Sequence, residues 1–219
     1  MASASATRSR SRRQASARRS ARARTAKKRR IAAAILAAIV GAGAAAALIG
    51  LGTIGDAVRE ITLPLKHEDI IRQQAAEKDL DPALVAAVIY EESRFRDQTS
   101  HAGARGLMQI TPDTAKFIAQ DSGGTAFTQA DLATPQVNIS YGTYYLRYLL
   151  GRYDGNEMLA IAAYNAGETN VNRWIEAAGG EEGFEASEDI PFPETRHYVE
   201  NVQDRRGEYR DHYGAELGL

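Results

Sequence analysis

The run Asp81-Pro82-Ala83-Leu84-Val85-Ala86-Ala87-Val88-Ile89-Tyr90-Glu91-Glu92-Ser93-Arg94-Phe95 decides how the rest of the chain is read. Asp81 followed by Pro82 is a helix start: the carboxylate can cap free N–H groups, and the fixed φ of proline suits the first turn. The residues that follow hold no glycine and no period-two alternation, so a helix is expected over 82–95. At about 100° per residue, Val85, Val88, Ile89 and Glu92 fall at i, i+3, i+4 and i+7 on one face. Glu92 therefore sits in the apolar stripe that should face the core. Its neighbour Glu91 points about 100° away, toward solvent.

A carboxylate on a core-facing stripe near a helix C-terminus is disfavoured as an anion twice over. Desolvation raises its pKa, and the negative end of the helix dipole raises it further. A general acid at neutral pH needs that property. The alternative is a buried ion pair with Arg94, Arg105 or Arg196, and the helix alone does not decide between them.

Outward from this helix the same reading continues. Thr111-Pro112, Thr134-Pro135 and Pro193 are further starts, and Gly167 and Gly179 are natural stops. Helices are expected near 67–79, 82–95, 112–120, 135–151, 156–166, 168–178 and 193–213, with loops at 121–130 and 179–192. The fold class is all-α, and no internal repeat is evident. Gly103-Ala104-Arg105-Gly106-Leu107-Met108-Gln109-Ile110 lies between the second and third helices. Its two glycines let backbone pass close to a ligand, and Gln109 offers an amide donor and acceptor.

Taken together, these residues resemble the catalytic motifs of the soluble lytic transglycosylase family, murein-cleaving enzymes with a lysozyme-like domain. Glu92-Ser93-Arg94-Phe95 resembles the family's Glu-Ser motif. Gly103 to Ile110 with Thr111-Pro112 resembles its Gly-Leu-Met-Gln segment. Ala163-Tyr164-Asn165-Ala166-Gly167 resembles its Ala-Tyr-Asn motif, and Glu194-Thr195-Arg196-His197-Tyr198-Val199 its closing Glu-Thr-Arg-x-Tyr-Val motif. A softer match, Asn138 to Leu146, lies on a mostly core helix. The resemblance covers about 67–213. It departs in a shorter loop between Phe95 and Ser100, without the usual proline, and in Thr111 where a Met is common.

The resemblance implies Glu92 as the catalytic residue, with Ser93, Gly106, Met108, Gln109, Tyr164, Asn165 and Tyr198 around the substrate. Ser93 and Tyr198 would position Glu92, although Ser93 could equally satisfy helix-end carbonyls. Gln109, Tyr164 and Asn165 would contact sugar, and Met108 would do so through its backbone. Glu194 and Arg196 are expected to form a structural pair, and Trp174 and the tyrosines of 141–153 to be core. Most glycosidases use two carboxylates. No partner for Glu92 is evident here, since Glu91 is on the wrong face and Asp97 and Asp113 belong to a loop and a helix start. The implied reaction needs one: Glu92 protonates the bridging oxygen between N-acetylmuramic acid and N-acetylglucosamine, and the N-acetyl oxygen stabilises C1. Glu92 then takes the C6 hydroxyl proton as a 1,6-anhydro ring closes. No cofactor and no metal are expected. There is no cysteine, and His67, His101, His197 and His212 lack ligand spacing.

The N-terminal quarter is of another kind. Residues 1–30 hold twelve Lys/Arg and no Asp/Glu, and the remaining residues carry a net charge of −13. The basic run cannot bury enough apolar surface to fold and is expected to be a disordered cytoplasmic tail. Residues 31–55 contain no charged residue, ten Ala and five Gly. As a helix they would measure roughly 37 Å, enough for a hydrocarbon core of about 30 Å. Cations before the segment and Asp56 after it follow the positive-inside pattern, so an uncleaved single-pass anchor is expected, with the outer domain extracytoplasmic. Residues 56–66 would form a short linker and 67–219 the lysozyme-like domain, acting on peptidoglycan glycan strands beside the membrane. Two readings compete: a muramidase of the same fold, and a catalytically silent wall-binding scaffold. Nucleic acid is not an expected partner, because the acidic outer domain repels phosphate.

Overall fold

The computed structural model describes residue 41 and residues 58–123 and 128–219. The expected tail 1–30 and anchor 31–55 lie outside the described residues, save residue 41, which is helical. Among the described residues, no helix is long and apolar enough to cross a membrane. The chain divides into two compact units, Met1–Val58 and Arg59–Leu219, and the helices named here lie in the second.

That unit is helical, in the order α1 (Glu68–Lys78), α2 (Pro82–Ser93), α3 (Pro112–Asp121), α4 (Pro135–Arg152), α5 (Glu157–Ala166), α6 (Glu168–Ala177), α7 (Ala186–Asp189) and α8 (Pro193–Leu217). Short 3-10 turns stand at Gln129–Ala133 and Glu181–Gly183. The caps follow from side-chain chemistry. Asp81 accepts a hydrogen bond from the Ala83 N–H, Thr111 from that of Thr114 and Asn156 from that of Leu159, each satisfying a donor that the first turn leaves free.

Helix α2 is the axis of the domain. Ala83 to Ile89 are each at most 1% exposed, so the helix is enclosed all round rather than along one stripe. It lies against α1 and α8, and α5 rests on α4 and α8. Its end differs from the expected Phe95. Arg94 and Phe95 have φ of 51° and 58°, so the helix stops at Ser93 and the chain turns sharply. The turn carries the buried Phe95 ring to Tyr209, with centroids 6.1 Å apart.

Two further boundaries differ from expectation. Helix α8 continues past 213 to Leu217 across a kink at Tyr213. The expected linker is part of the domain in its second half: Leu63 is 4% exposed, and three tyrosine hydroxyls clamp the segment. Tyr90 donates to the Thr62 carbonyl (2.9 Å), Tyr213 to that of Leu63 (2.9 Å) and Tyr209 to that of Pro64 (2.6 Å). Each buried phenol thus finds an acceptor.

Candidate active site

Glu92 occupies the last turn of α2, where the Arg94 N–H closes on the Tyr90 carbonyl. Its side chain is half-buried, and the hydroxyl of Tyr198, on α8, donates to its Oε1 over 2.6 Å. Burial raises its pKa, the Tyr198 bond lowers it, and the nearby Glu91 charge raises it again, with the outcome at about 7. Among the described residues, Glu92 has no ion pair. None of the arginines that could have neutralised it forms an ion pair with it among the described residues. Arg196 donates to the Ile190 carbonyl, Arg94 lies over the Tyr90 ring, and the Nε of Arg105 is buried without a partner.

Glu91 is not left to solvent. It accepts from Asn201 Nδ2 (3.3 Å) and lies 3.6 Å from Arg205 Nε, because α8 runs beside this face of α2. No ion pair joins Glu194 to Arg196 among the described residues: Glu194 is exposed while Arg196 turns back to Ile190.

The loop after α2 is built around a buried asparagine. Asn138, fully buried on α4, accepts from the Met108 N–H (2.7 Å) and donates to the carbonyls of Arg105 (2.8 Å) and Leu132 (2.9 Å). Gly106 lies directly against it at φ +81°, where an added Cβ would come within 2.1 Å of Asn138 Nδ2. The Met108 side chain is fully buried against Gly142, whose absent side chain makes the room. In the sequence Asn138 stands only within the softer match on a mostly core helix, and its three hydrogen bonds give it a structural role there. Its signal was an amide in the midst of core positions on α4.

The other expected residues fall in distinct places. Ser93 is 3% exposed and its hydroxyl faces the carbonyls of Ile89 (3.1 Å) and Leu107 (2.7 Å), so it ties α2 to the loop and does not bond Glu92. Its position inside the last turn directs it to carbonyls. Gln109, at φ 46°, donates its amide to the carbonyls of Gln98 (3.1 Å) and Gly106 (2.8 Å). The Met108 carbonyl accepts from the hydroxyl of Tyr164 (2.9 Å), on α5, so both backbone groups of Met108 have protein partners. The Tyr164 ring is 5.6 Å from that of Tyr145, and burial and the Glu92 charge push its phenol well above the usual range. Asn165 is exposed, and its Oδ1 accepts from Thr195 (2.8 Å), leaving the amide N–H groups toward solvent.

Elements α5 and α8 thus converge on the carboxyl group at the end of α2, with Tyr198 bonded to it and Tyr164 electrostatically coupled to it, while the 103–110 loop is tied to the same helix end through Ser93 and to α5 through Tyr164. Among the described residues, no group of three or more His, Asp or Glu stands close enough to hold a metal ion. The arrangement can give and take back a proton near neutral pH.

Residues 69–186 match the family described as Transglycosylase SLT domain, and this chain belongs to it. Over 175 residues it is 35% identical to the soluble lytic murein transglycosylase of Salmonella typhimurium strain LT2, covering 77% of this chain and 26% of that protein. It is 29% identical over 168 residues to the membrane-bound lytic murein transglycosylase C of Edwardsiella ictaluri, covering 66% of this chain and 46% of that protein. Among solved structures, the inactive glutamate-to-glutamine mutant of the lytic transglycosylase Slt from Pseudomonas aeruginosa superposes with a TM-score of 0.64 at 33% identity. That match covers 72% of this chain and 26% of the Pseudomonas chain. The chain thus spans about a quarter of the length of the soluble relatives it matches.

Proposed function

We propose that the domain is a peptidoglycan lytic transglycosylase in which Glu92 is both acid and base. Protonated Glu92 gives its proton to the oxygen that links N-acetylmuramic acid to N-acetylglucosamine. The C1–O bond breaks, and the N-acetylglucosamine end leaves as an alcohol. The N-acetyl oxygen of the muramyl residue bonds C1 in place of a protein nucleophile. The Glu92 carboxylate then takes the C6 hydroxyl proton, and O6 closes on C1 to form the 1,6-anhydro ring as the N-acetyl oxygen departs. Proton count and oxygen count are unchanged across the cycle, and no water enters.

One observation carries this reading: a half-buried carboxyl with a pKa of about 7, bonded to a phenol and without a salt-bridge partner among the described residues. Both protonation states are then accessible at neutral pH, which a group acting first as acid and then as base requires. The relatives' names and the inactivity of the glutamate-to-glutamine mutant structure support it. Gln109 and the exposed Asn165 amide are the groups we assign to sugar. Gly106, Met108, Ser93 and Asn138 hold the loop beneath them. The test is muropeptide release from purified peptidoglycan by the full chain in detergent. Release by the native chain and none by Glu92→Gln supports the reading, and equal release by both overturns it.

The cellular setting belongs to the same proposal. Residues 31–55 anchor the chain in the membrane, with the basic tail cytoplasmic and the domain outside, where its substrate lies. The membrane-bound relative supports this placement. Protease digestion of intact spheroplasts tests it: cleavage of the domain from outside supports the topology, and full protection contradicts it.

A further inference from the structure

The domain is acidic, yet its cations are not spread evenly. Residues 59–219 hold 15 Lys/Arg against 27 Asp/Glu. Four of those fifteen, Lys66, Arg94, Arg96 and Arg205, line a single groove of about 830 Å³, where the only acidic lining residue is Glu60. Arg205 is neutralised within the protein: it bonds Glu208, lies near Glu91 and covers the Tyr90 ring at 4.7 Å. Lys66, Arg94 and Arg96 are exposed and have no carboxylate partner among the described residues. Three cations without a carboxylate partner, of which Arg94 rests over the Tyr90 ring at 5.7 Å, gather in a concavity of a strongly acidic domain and repel one another, and an anion from outside relieves that repulsion.

The groove has a second property. Ile61 lines it and is 82% exposed, the most exposed large apolar side chain among the described residues. A bare aliphatic side chain beside three cations suits a surface that is anionic at its headgroups and apolar just beneath. The groove is also turned from the catalytic centre. Tyr90, which lines it, lies two residues before Glu92 and so about 200° round α2. An occupant would leave the Glu92 side open.

We propose that this groove docks the domain on anionic phospholipid headgroups, with Lys66, Arg94 and Arg96 meeting phosphates and Ile61 entering the interface. This rests on the reading of residues 31–55 as a membrane anchor. From residue 55 the chain reaches the groove's first residue, Glu60, in at most about 18 Å, so the groove lies within short reach of a bilayer that holds residues 31–55. Docking would fix the orientation of the active site toward glycan strands that run along the membrane.

The chain has no cysteine, so Ile61→Cys carries a single polarity-sensitive fluorophore. The full labelled chain is reconstituted into vesicles of phosphatidylcholine alone or with phosphatidylglycerol. The expected result is a blue-shifted emission and several-fold lower quencher access only with phosphatidylglycerol, lost at high salt. Each cation near the surface favours docking roughly fivefold, so Arg94→Glu with Arg96→Glu lowers the docked-to-undocked ratio about 25-fold or more. Lys66→Glu, on a different segment, lowers it in the same sense, and unchanged melting of both variants shows that the fold is intact. Equal emission in the two lipids overturns the proposal. A shift produced by inorganic phosphate alone, with no lipid difference, overturns it in favour of a soluble phosphate ligand. The anchor is scored separately by flotation with phosphatidylcholine vesicles. A chain that fails to float there refutes the anchor, while the phosphatidylglycerol difference still decides the groove.

Discussion

Tyr198 donates its phenolic hydrogen to Oε1 of Glu92 over 2.6 Å, joining α8 to the last turn of α2. The bond occupies one carboxyl oxygen, and in the proposed mechanism the other carries the transferable proton. It also opposes the burial that raises the Glu92 pKa. The phenol itself is pushed well above its usual range by burial and by the Glu92 charge, so it stays a donor at neutral pH. Removing the hydroxyl in Tyr198→Phe is expected to raise the Glu92 pKa above its present value of about 7. A hydrogen bond to a charged group contributes roughly 1.5–3 kcal/mol, so turnover at neutral pH should fall about 10- to 100-fold. The pH–rate profile should move alkaline by about one unit. A profile unchanged in position would show that the bond does not tune Glu92.

Glu92→Gln should make the protein more stable, with a defined pH dependence. A carboxyl group with a pKa of 4.5 when unfolded and about 7 when folded binds more protons in the native state between those values. Native stability is therefore full below the unfolded pKa, falls as pH rises toward the folded one, and is level above it. Glutamine keeps an oxygen for Tyr198 and carries no charge to desolvate. The variant's advantage should be near zero at about pH 4 and up to about 3 kcal/mol at about pH 8. Denaturant titrations at the two pH values check this, and a gain independent of pH would contradict the burial argument.

Asn138→Leu keeps the size of the side chain and removes all three of its hydrogen bonds. The Met108 N–H and the carbonyls of Arg105 and Leu132 would be left without that partner in a buried site. The expected loss is about 3 kcal/mol of stability, and more in activity than in fold, because the loop carrying Gln109 loses its support. Thermal melting beside muropeptide release separates the two effects.

Gly142→Ala tests the contact beneath Met108. An added Cβ would stand 2.2 Å from Met108 Sδ and 2.7 Å from its Cβ, so the side chain cannot clear the space by rotating its tip alone. Overpacking of this kind costs about 1–3 kcal/mol. Met108→Ala in the same chain should recover part of that loss, and a double mutant no better than Gly142→Ala would show that the strain lies elsewhere.

Much of this architecture was legible before any coordinates. Asp81-Pro82, Thr111-Pro112, Thr134-Pro135 and Pro193 each begin a helix, since proline and capping side chains act locally. Glu92 could be singled out because one carboxylate in an apolar run breaks a pattern of short period. The residues that escaped depend on distant partners. The left-handed turn at Arg94 and Phe95 has no glycine to announce it and exists because Phe95 reaches Tyr209. The role of Ser93 turns on the Leu107 carbonyl, and that of Glu91 on Arg205, more than a hundred residues away. The inclusion of residues 62–64 in the domain is decided by tyrosines near the opposite end of the chain and on α2.

In the proposed mechanism one carboxyl group performs the whole cleavage and water takes no part. Digesting peptidoglycan with the full chain in water enriched in heavy oxygen tests it directly, with mass spectrometry of the released muropeptides as readout. The expected products carry 1,6-anhydro-muramic ends that contain no heavy oxygen, and none form with Glu92→Gln. Products heavier by one water, with the label at their reducing ends, would contradict it and make the enzyme a hydrolase with a second catalytic group.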